Sequence, residues 1–392
     1  MFNEVEQAAL RAQDYLIEMR RHFHQYPEAS AQEYETSKRI GEELTAMGLT
    51  WKQVGMDTGI VCDIQGKFPG KTFMIRADID ALSVTEDTGL PFESKNKGLM
   101  HACGHDCHIS VMLAAAKMLS ELRDQIHGTV RVIFQPAEEI AQGAKAMIKE
   151  GVLDGVDACF GIHVWSDIDA GKISIEPGPR MASADKFTID IEGKSGHGAQ
   201  PHLCVDAAVV AAAVIQNLQS VVSREIAPTE TAVVTVGTVN VGSRWNVVAG
   251  SAHMEGTTRC FNPEVRNQMP AVLSRVVEET AKAYRATAKV HYDFLVSPTV
   301  NNPAIVPYAQ KAAEEIFGPD WNAHYGLTMG GEDFSFFLEK IPGCFALLGV
   351  RSPETDSGWP QHSCHYKVDE SSLIQGAKMH VLTALNYLNA NQ

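Results

Sequence analysis

The chain has 392 residues, of which 45% are hydrophobic, and a formal net charge of −15 at pH 7. This length predicts two domains, and the apolar content suffices for a large core. The acidic balance argues against a general nucleic-acid or anionic-membrane partner, because both surfaces call for a positive field. A small anionic substrate is still allowed, since it needs only one or two local cations.

The cysteines and the start of the chain bear on the compartment. The eight cysteines are scattered and form no short paired framework, which is typical of buried thiols in a reducing cytoplasm. The start, residues 1–6, is acidic and lacks the basic and apolar regions of a signal peptide. No apolar run near 18 residues stands out, so we expect no membrane span. The sequence therefore predicts a cytoplasmic protein.

The first part of the chain alternates between strand and helix patterns. The first 45 residues are predicted to be helical, followed by strand 58–65, strand 71–77, helix 109–122, strand 129–134, helix 143–150 and strand 157–164. Such alternation predicts an α/β fold with a mostly parallel sheet sandwiched by helices. Ligands of such sheets bind beyond the carboxyl ends of the strands. Three candidate groups follow predicted strand ends, namely Asp78 with Asp80, Glu138 with Glu139, and His163.

The pattern changes after Pro177-Gly178-Pro179. The next segments are predicted in the order strand 184–192, helix 204–222, strand 231–240, strand 247–258, helix 264–286 and strand 287–295. This is the order of an α+β ferredoxin-like sandwich. We therefore expect an inserted domain at 183–296, and one further domain formed by 1–182 together with 297–392.

The most informative segment is 101–108, which reads His-Ala-Cys-Gly-His-Asp-Cys-His. Thiolate, imidazole and carboxylate together suit a transition metal such as zinc, cobalt or manganese. Cys103 and His105 are two residues apart and would lie on different sides of a helix, so they share a site only from a loop or a helix start. Gly104 permits that turn. For this pair alone, a buried cysteine and a core histidine fit equally well, and the flanking histidines and aspartate favour the metal.

Five other candidates, in three groups, are ambiguous when each group is taken alone. Glu138 and Glu139 would repel each other at a strand end unless a cation took one as a ligand, and a solvated helix start is the common alternative. His163 lies in an apolar run, which is typical of a core histidine or of a metal ligand. His362 and His365 lie in a loop-like stretch near the C-terminus.

The insert and the segment after it carry candidates for substrate contact. Glycines flank His197, which suggests a loop close to a ligand, although an exposed loop histidine is an equal alternative. Asn246 and Arg259 could hold a carboxylate, for which a guanidinium is the natural partner, although a surface charge is the commoner case for such an arginine. Gly331 belongs to a glycine turn that could shape a pocket wall.

Together these segments resemble the aminoacylase/carboxypeptidase family of dinuclear metallopeptidases. The match is better to its amidohydrolase branch, which includes N-acyl-amino-acid, hippurate and auxin-conjugate hydrolases. The resemblance runs from about residue 20 to residue 370 and is specific, because a Cys-Gly-His-Asp-x-His segment is followed by Pro-Ala-Glu-Glu. The matching stretches are residues 76–82, 100–108, 136–139, 161–163, 195–201 and 330–334.

The resemblance implies a catalytic domain that binds two divalent metal ions (zinc, manganese or cobalt) and an inserted lid of the dimerisation type. The implied metal ligands are Cys103, which would bridge the ions, and His105, Glu139, His163 and His362. The implied general base is Glu138, with His197 polarising the scissile carbonyl, Asp80 supporting the ligands, and Asn246, Arg259 and Gly331 contacting substrate. One departure is Cys364, where relatives often have proline, and it leaves open whether His365 also contacts metal.

The implied reaction is hydrolysis of the amide bond of an N-acyl amino acid to a carboxylic acid and a free amino acid. An aminopeptidase or dipeptidase that acts on unblocked dipeptides is the alternative enzyme, and a non-catalytic metal-binding or sensor protein is the alternative of another class. A structural zinc site fits less well, because such sites use four cysteine or histidine ligands. The expected partners are a small N-acyl amino acid and, through the insert, further copies in a homodimer or homotetramer, with neither nucleic acid nor membrane.

Overall fold

The computed structural model describes all 392 residues and contains nine α-helices and fifteen β-strands. The helices are α1 (Phe2–Gln25), α2 (Tyr34–Ala46), α3 (His105–Glu121), α4 (Gly143–Lys149), α5 (Ala207–Ser220), α6 (Pro263–Ala283), α7 (Val306–Phe317), α8 (Ser335–Leu338) and α9 (Leu373–Ala390). The strands are β1 (Trp51–Gln53), β2 (Ile60–Gln65), β3 (Phe68–Asp78), β4 (His127–Gln135), β5 (Ala158–Asp169), β6 (Ile173–Ser174), β7 (Gly178–Met181), β8 (Ala184–Glu192), β9 (Gly196–His197), β10 (Ala232–Val241), β11 (Val247–Val248), β12 (Ser251–Cys260), β13 (Thr287–Val296), β14 (Thr299–Asn301) and β15 (Gly343–Arg351).

The chain divides into two compact units. The first contains Met1–Gly178, Val300–Gly326 and Asp333–Gln392, and the second contains Pro179–Thr299 and Leu327–Glu332. The boundaries that the sequence suggests, 183 and 296, lie a few residues inside those of the second unit and leave out its short later segment.

The first unit is built around a seven-stranded sheet with the order β1-β2-β4-β3-β5-β15-β6. Its four central strands, β4, β3, β5 and β15, are parallel, whereas the edge strands pair antiparallel. The predicted α/β fold is thereby confirmed. The inner parts of the central strands, such as Phe73–Ile75 and Val132–Phe134, are apolar and buried, as strands covered on both faces must be. Helices α1, α3, α7 and α9 pack on the sheet or on one another.

Helix α3 is the most deeply buried element of the first unit. Its middle, from Val111 to Ala116, is at most 3% exposed, and it packs against α1, α9 and β3. A helix that is apolar on every side is stable only inside a core. The consequence is that the segment at its N-terminus, which carries Cys103 and His105, is fixed by the core beneath it.

The main elements of the second unit follow the order β8-α5-β10-β12-α6-β13, with the short strands β9 and β11 between them. Its antiparallel sheet has the order β10-β12-β8-β13. Alternate residues of β8 (Phe187, Ile189 and Ile191) are buried in one core with the apolar sides of the two helices. Asp206 caps α5 by accepting a hydrogen bond from the N–H of Ala208 at 3.0 Å, which explains why the helix begins at Ala207. The predicted ferredoxin-like insert is confirmed.

The expectation that no apolar run approaches 18 residues is wrong. The stretch Ala207–Glu225, which is α5 with the π-helical turn after it, is long and apolar enough to cross a membrane by length and composition alone. The inward side of α5 nevertheless lies in the core of the second unit, and one such helix is weak evidence for a span. All eight cysteines are free thiols.

Candidate metal centre

The predicted metal ligands lie on four segments of the first unit. Cys103 and His105 flank the N-terminus of α3, and Glu139 lies four residues after β4. His163 lies within β5, which continues to Asp169 rather than ending at the histidine as predicted. His362 follows β15 and has a left-handed backbone with φ of 68°. Each segment thus reaches the cluster from a central strand or from the buried helix.

Gly104 makes the turn that the cysteine–histidine pair requires. It precedes α3 with φ of 89°, and a Cβ placed on it would lie 2.5 Å from Val164 Cγ2 and 2.9 Å from Tyr366 Oη. Only glycine satisfies both the left-handed backbone and the lack of space. Because of this turn, the ligand atoms of Cys103 and His105 lie within 4.8 Å of each other and of the ligand atom of His163.

The five predicted ligands form one cluster. The Cys103 Sγ lies 3.3 Å from His163 Nε2, and Glu139 Oε1 lies 3.9 Å from His105 Nε2 and 3.8 Å from His362 Nε2. Cys103 belongs to two triads, one with His105 and His163 and one with Glu139 and His362. Glu138 lies beside the cluster, because one of its carboxylate oxygens is within 4.8 Å of the ligand atoms of His105 and Glu139.

Hydrogen bonds fix the tautomers of the histidines. His105 donates through Nδ1 to the backbone carbonyl of Asp80 at 2.8 Å, and His163 donates through Nδ1 to that of Val164 at 2.6 Å. Each therefore presents the lone pair of Nε2 to the cluster, as metal-ligating histidines do. His108 differs, because its Nε2 accepts from the N–H of Val164 at 2.9 Å and its Nδ1 donates to Asp78. No lone pair of His108 is left for a metal.

The buried carboxylate of Asp80 holds the loop that carries both glutamates. It accepts hydrogen bonds from the backbone N–H groups of Glu138 and Glu139, each at 3.1 Å, and from Ser30 Oγ at 2.6 Å. Burial tends to raise the pKa of Asp80, but its interactions with His105 and Ser30 hold that pKa below the usual value. Asp80 therefore remains ionised and fixes a base candidate and a ligand candidate together.

The electrostatics of the cluster call for a cation. Burial raises the pKa of the Cys103 thiol well above its usual value and that of Glu139 to about 7, while burial lowers the pKa of His163 well below its usual value. His105 Nε2 and Glu139 Oε1 are buried and have no hydrogen-bond partner. A divalent cation would satisfy both atoms and would favour the thiolate and the carboxylate. The donor set therefore fits a metal.

The remaining polar residues of the 101–108 segment do not join the cluster. Asp106 forms buried ion pairs with Arg20 at 3.2 Å and His24 at 2.7 Å, both on α1. His101 is buried, and neither of its ring nitrogens has a hydrogen-bond partner. Farther along the chain, the ring of His365 turns to the backbone carbonyl of Asp87 instead, and His365 belongs to none of the ligand groups that include His362.

His197 and Asn246 are neighbours in the second unit. β9, which contains His197, pairs with β11, and the N–H of Gly198 donates to the carbonyl of Asn246 at 3.0 Å. His197 is exposed, and its Nδ1 accepts from the N–H of Ala199 at 3.0 Å. The proton of the neutral ring is therefore on Nε2, where it is available to an acceptor. The buried Oδ1 of Asn246 has no hydrogen-bond partner.

Arg259 lies near the end of β12 in the four-stranded sheet, and Gly331 lies beside the start of β8. Arg259 is half-buried without a hydrogen bond or an ion pair, and burial lowers its pKa. A Cβ on Gly331 would lie 3.2 Å from Ala184 Cβ, at the start of β8. Arg259 lies eight positions after Ser251 along β12, a span of roughly 26 Å at the usual strand rise. His197 lies near the Ser251 end, where a Cβ on Gly250 would lie 3.0 Å from Ser195 Cβ. A single second unit therefore does not bring His197 and Arg259 together.

The sequence interpretation overlooked three buried residues behind Glu138. Arg76, Gln135 and Asp333 are each at most 1% exposed and are joined by hydrogen bonds. Arg76 stands within the apolar run of β3, and a buried guanidinium always needs acceptors. The presence of this single charged residue among apolar residues was the feature of the sequence that could have indicated a buried polar network.

Comparison with known proteins agrees with this arrangement. The profile of "Peptidase family M20/M25/M40" matches residues 74–386. The chain is 40% identical to an N-acetyl-L-cysteine deacetylase of Bacillus subtilis, with 100% of this chain and 92% of the relative covered. It is 39% identical to thermostable carboxypeptidase 1 of Saccharolobus solfataricus, with 96% of each covered.

Among solved structures, a Bacillus subtilis protein described as a dinuclear metal binding peptidase from the M20 family superposes with a TM-score of 0.86. It is 37% identical, and the superposition covers 97% of this chain and 99% of the other. The family profile and these two relatives each span well over half of the chain, and the fold agrees over nearly all of it. The chain belongs to peptidase family M20/M25/M40.

Proposed function

We propose that this protein is a metal-dependent amidohydrolase that cleaves the amide bond of N-acyl amino acids to a carboxylic acid and a free amino acid. The observation that carries the proposal is the convergence of five donors, with the carboxylate of Glu138 beside them. Two of the donor atoms, His105 Nε2 and Glu139 Oε1, are buried without a hydrogen-bond partner. A structural metal site has no use for such an additional acid. The similarity to an N-acetyl-L-cysteine deacetylase supports an acyl amino acid as substrate.

The proposed cofactor is a pair of divalent ions held by Cys103, His105, Glu139, His163 and His362. Cys103 would contribute to both parts of the site, because it belongs to both triads. Sulfur, nitrogen and oxygen donors together accept zinc, manganese or cobalt. The solved relative described as a dinuclear metal binding peptidase supports two ions rather than one.

The proposal assigns a catalytic role to each of these residues. When bound, the ions acidify a water molecule and polarise the scissile carbonyl. Glu138, whose backbone is held by Asp80, takes the proton of the attacking water and passes it to the leaving amine. The Nε2–H of His197 donates to the developing oxyanion. The unpaired guanidinium of Arg259 binds the substrate carboxylate, for which Asn246 is the alternative.

We further propose a homodimer, or a homotetramer built from it, that pairs through the second unit. Strand β10 is one of the two edge strands of the four-stranded sheet, and its residues Val239 and Val241 are exposed. An uncovered edge with apolar side chains readily pairs with another chain. A second copy is then the expected macromolecular partner, and neither nucleic acid nor membrane is proposed.

The dimer would also explain how His197 and Arg259, which lie far apart in one second unit, could both contribute to active sites. The chain enters and leaves the second unit beside the start of β8 and the end of β13, which is the end that carries Arg259 and Gly331. His197 and Asn246 lie at the far end, so we propose that they serve the metal centre of the other copy. A randomly reassociated 1:1 mixture of Glu138→Gln and His197→Ala chains would then regain about a quarter of wild-type activity, because half of the dimers are mixed and each mixed dimer has one intact site of two. Mixed dimers as inactive as their parents would contradict this exchange.

A substrate screen tests the main proposal. Purified protein is stripped with a chelator, reloaded with zinc, manganese or cobalt, and assayed on N-acetyl amino acids, N-benzoyl amino acids and unblocked dipeptides. Release of amino acid from the blocked substrates, only after reloading, is the expected result. Preference for unblocked dipeptides would instead identify a metallo-aminopeptidase or dipeptidase. Metal binding without hydrolysis of any substrate would identify a sensor.

We propose a cytoplasmic location. The support is the presence of eight free cysteines, seven of them buried, in a chain that builds its core without a disulfide.

A further inference from the structure

A closed hydrogen-bond network lies behind Glu138. The Oδ1 of Asp333 accepts from Arg76 Nη2 at 2.9 Å and from Gln135 Nε2 at 2.7 Å, and its Oδ2 accepts from Gln135 Nε2 at 2.9 Å and from the N–H of Ala144 at 3.1 Å. Gln135 Oε1 in turn accepts from Arg76 Nε at 2.9 Å. These three side chains, which we call the Asp333 network, pair their donors with acceptors and are at most 1% exposed.

The Asp333 network is tied to Glu138 in two ways. The backbone N–H of Asp333 donates to Glu138 Oε1 at 3.4 Å. Gln135 stands three residues before Glu138, at the end of β4, so the same contact that clamps the Asp333 carboxylate also anchors the start of the glutamate loop. Burying a carboxylate and a guanidinium costs more than burying apolar side chains of the same size. A role beyond packing explains why these charges are there.

We propose that Asp333 is a positioning residue for Glu138. The Asp333 carboxylate, held by Arg76 and Gln135, fixes the backbone of Asp333. The backbone N–H of Asp333 then holds one carboxylate oxygen of Glu138, so that the second oxygen of Glu138 faces the reacting atoms. The inference rests on the proposed function, in which Glu138 moves the proton. Because the contact is made to Glu138, which is not among the five proposed ligands, we expect its loss to change turnover rather than binding.

The test moves the negative charge across the network. Asp333→Asn places an amide N–H₂ opposite the donors of Gln135, and we expect kcat to fall about 10–100-fold, the size of effect that a misplacement of about 1 Å produces. KM stays within two-fold, and two metal ions remain bound. The double variant Asp333→Asn with Gln135→Glu restores a carboxylate opposite an amide with the net charge unchanged, and its kcat returns to within three-fold of wild type.

Three further variants keep the outcome clear. Leu382→Ala removes a fully buried side chain of α9 and shows what loss of stability alone does to kcat, which we expect to be nothing. Should Asp333→Asn not fold, Gln135→Met, which removes the same clamp and keeps the charge, must lower kcat with KM unchanged. Glu138→Gln must be inactive in the same assay, and its activity would refute the proposed function itself.

The inference is overturned if Asp333→Asn, or Gln135→Met in its place, keeps the wild-type kcat within two-fold while Glu138→Gln is inactive. It is equally overturned if the fall in kcat accompanies loss of metal, because the network would then assemble the ligands rather than aim the base. A folded double variant that stays at the level of the single variant also refutes it.

Discussion

Replacing Gly104 by alanine tests whether one turn controls the metal centre. The backbone there has φ of 89°, a conformation that costs an alanine about 1–2 kcal/mol. The new methyl would also lie 2.5 Å from Val164 Cγ2, whereas apolar carbons pack at about 3.5–4.0 Å, so the backbone must shift by about 1 Å. Cys103 and His105 flank this turn and would move with it. We expect affinity for the metal ions to fall about 10–100-fold, as when the support of a ligand is lost.

Gly98 offers a matched control. Its φ is 83°, and nothing lies within 4 Å of a Cβ placed on it. Gly98→Ala therefore has the same conformational cost without the overlap, and it should lose stability alone. Competition titrations with a chromophoric chelator measure the affinity, and thermal unfolding of metal-free protein measures the stability. Adding Val164→Ala to the Gly104 variant removes the methyl group it meets first and should recover part of the affinity.

The reasoning would be refuted if Gly104→Ala bound metal within two-fold of Gly98→Ala. That result would mean that the core absorbs the displacement before it reaches the ligands. A loss of affinity in the Gly98 variant as large as that in the Gly104 variant would be equally damaging, since it would trace the effect to backbone strain.

Three other variants have defined outcomes. Glu138→Gln should keep both ions by elemental analysis while kcat falls roughly 10²–10⁴-fold, and loss of metal would show that it is a ligand. His197→Ala should lower kcat/KM about 10²–10³-fold, with exposed His202→Ala as a control that changes nothing, and an unchanged value would remove His197 from the mechanism. Burial lowers the pKa of His24, but the paired Asp106 and a second carboxylate raise it above the usual value. Protonated His24 thus stabilises the fold at low pH and loses this effect as pH rises, so urea unfolding should show a larger deficit for His24→Gln at pH 6 than at pH 9.

The sequence predicted elements well where the burial pattern is regular. β8 agrees with the predicted 184–192 because its residues alternate between core and solvent. Helix α3 begins at His105, four residues before its predicted start, because its first turn buries polar residues that interrupt the apolar pattern. The predicted strand 247–258 is two strands, β11 and β12, because the β-strand pairing is interrupted at Ala249 and Gly250.

The site was predictable in composition but not in detail. Spacing and residue type singled out the ligand candidates, and the structure brings those five together. Spacing could not reveal that His108 spends both ring nitrogens on Asp78 and on a backbone N–H, because that depends on ring orientation. Nor could it reveal that β12 holds Arg259 and His197 apart, because distance along a strand appears only when the pairing is known.

Strand β15 imposes an order on synthesis. It lies between β5 and β6 in the sheet, yet its residues Gly343–Arg351 follow the whole second unit in the chain. While the ribosome makes the intervening stretch, roughly ten to thirty seconds at usual elongation rates, the nascent sheet has an open edge at β5. Such an edge is a template for aggregation and a natural target for chaperones. The proposed ligand His362 emerges later still, so on this proposal a full complement of ions can be acquired only by a chain that is nearly complete.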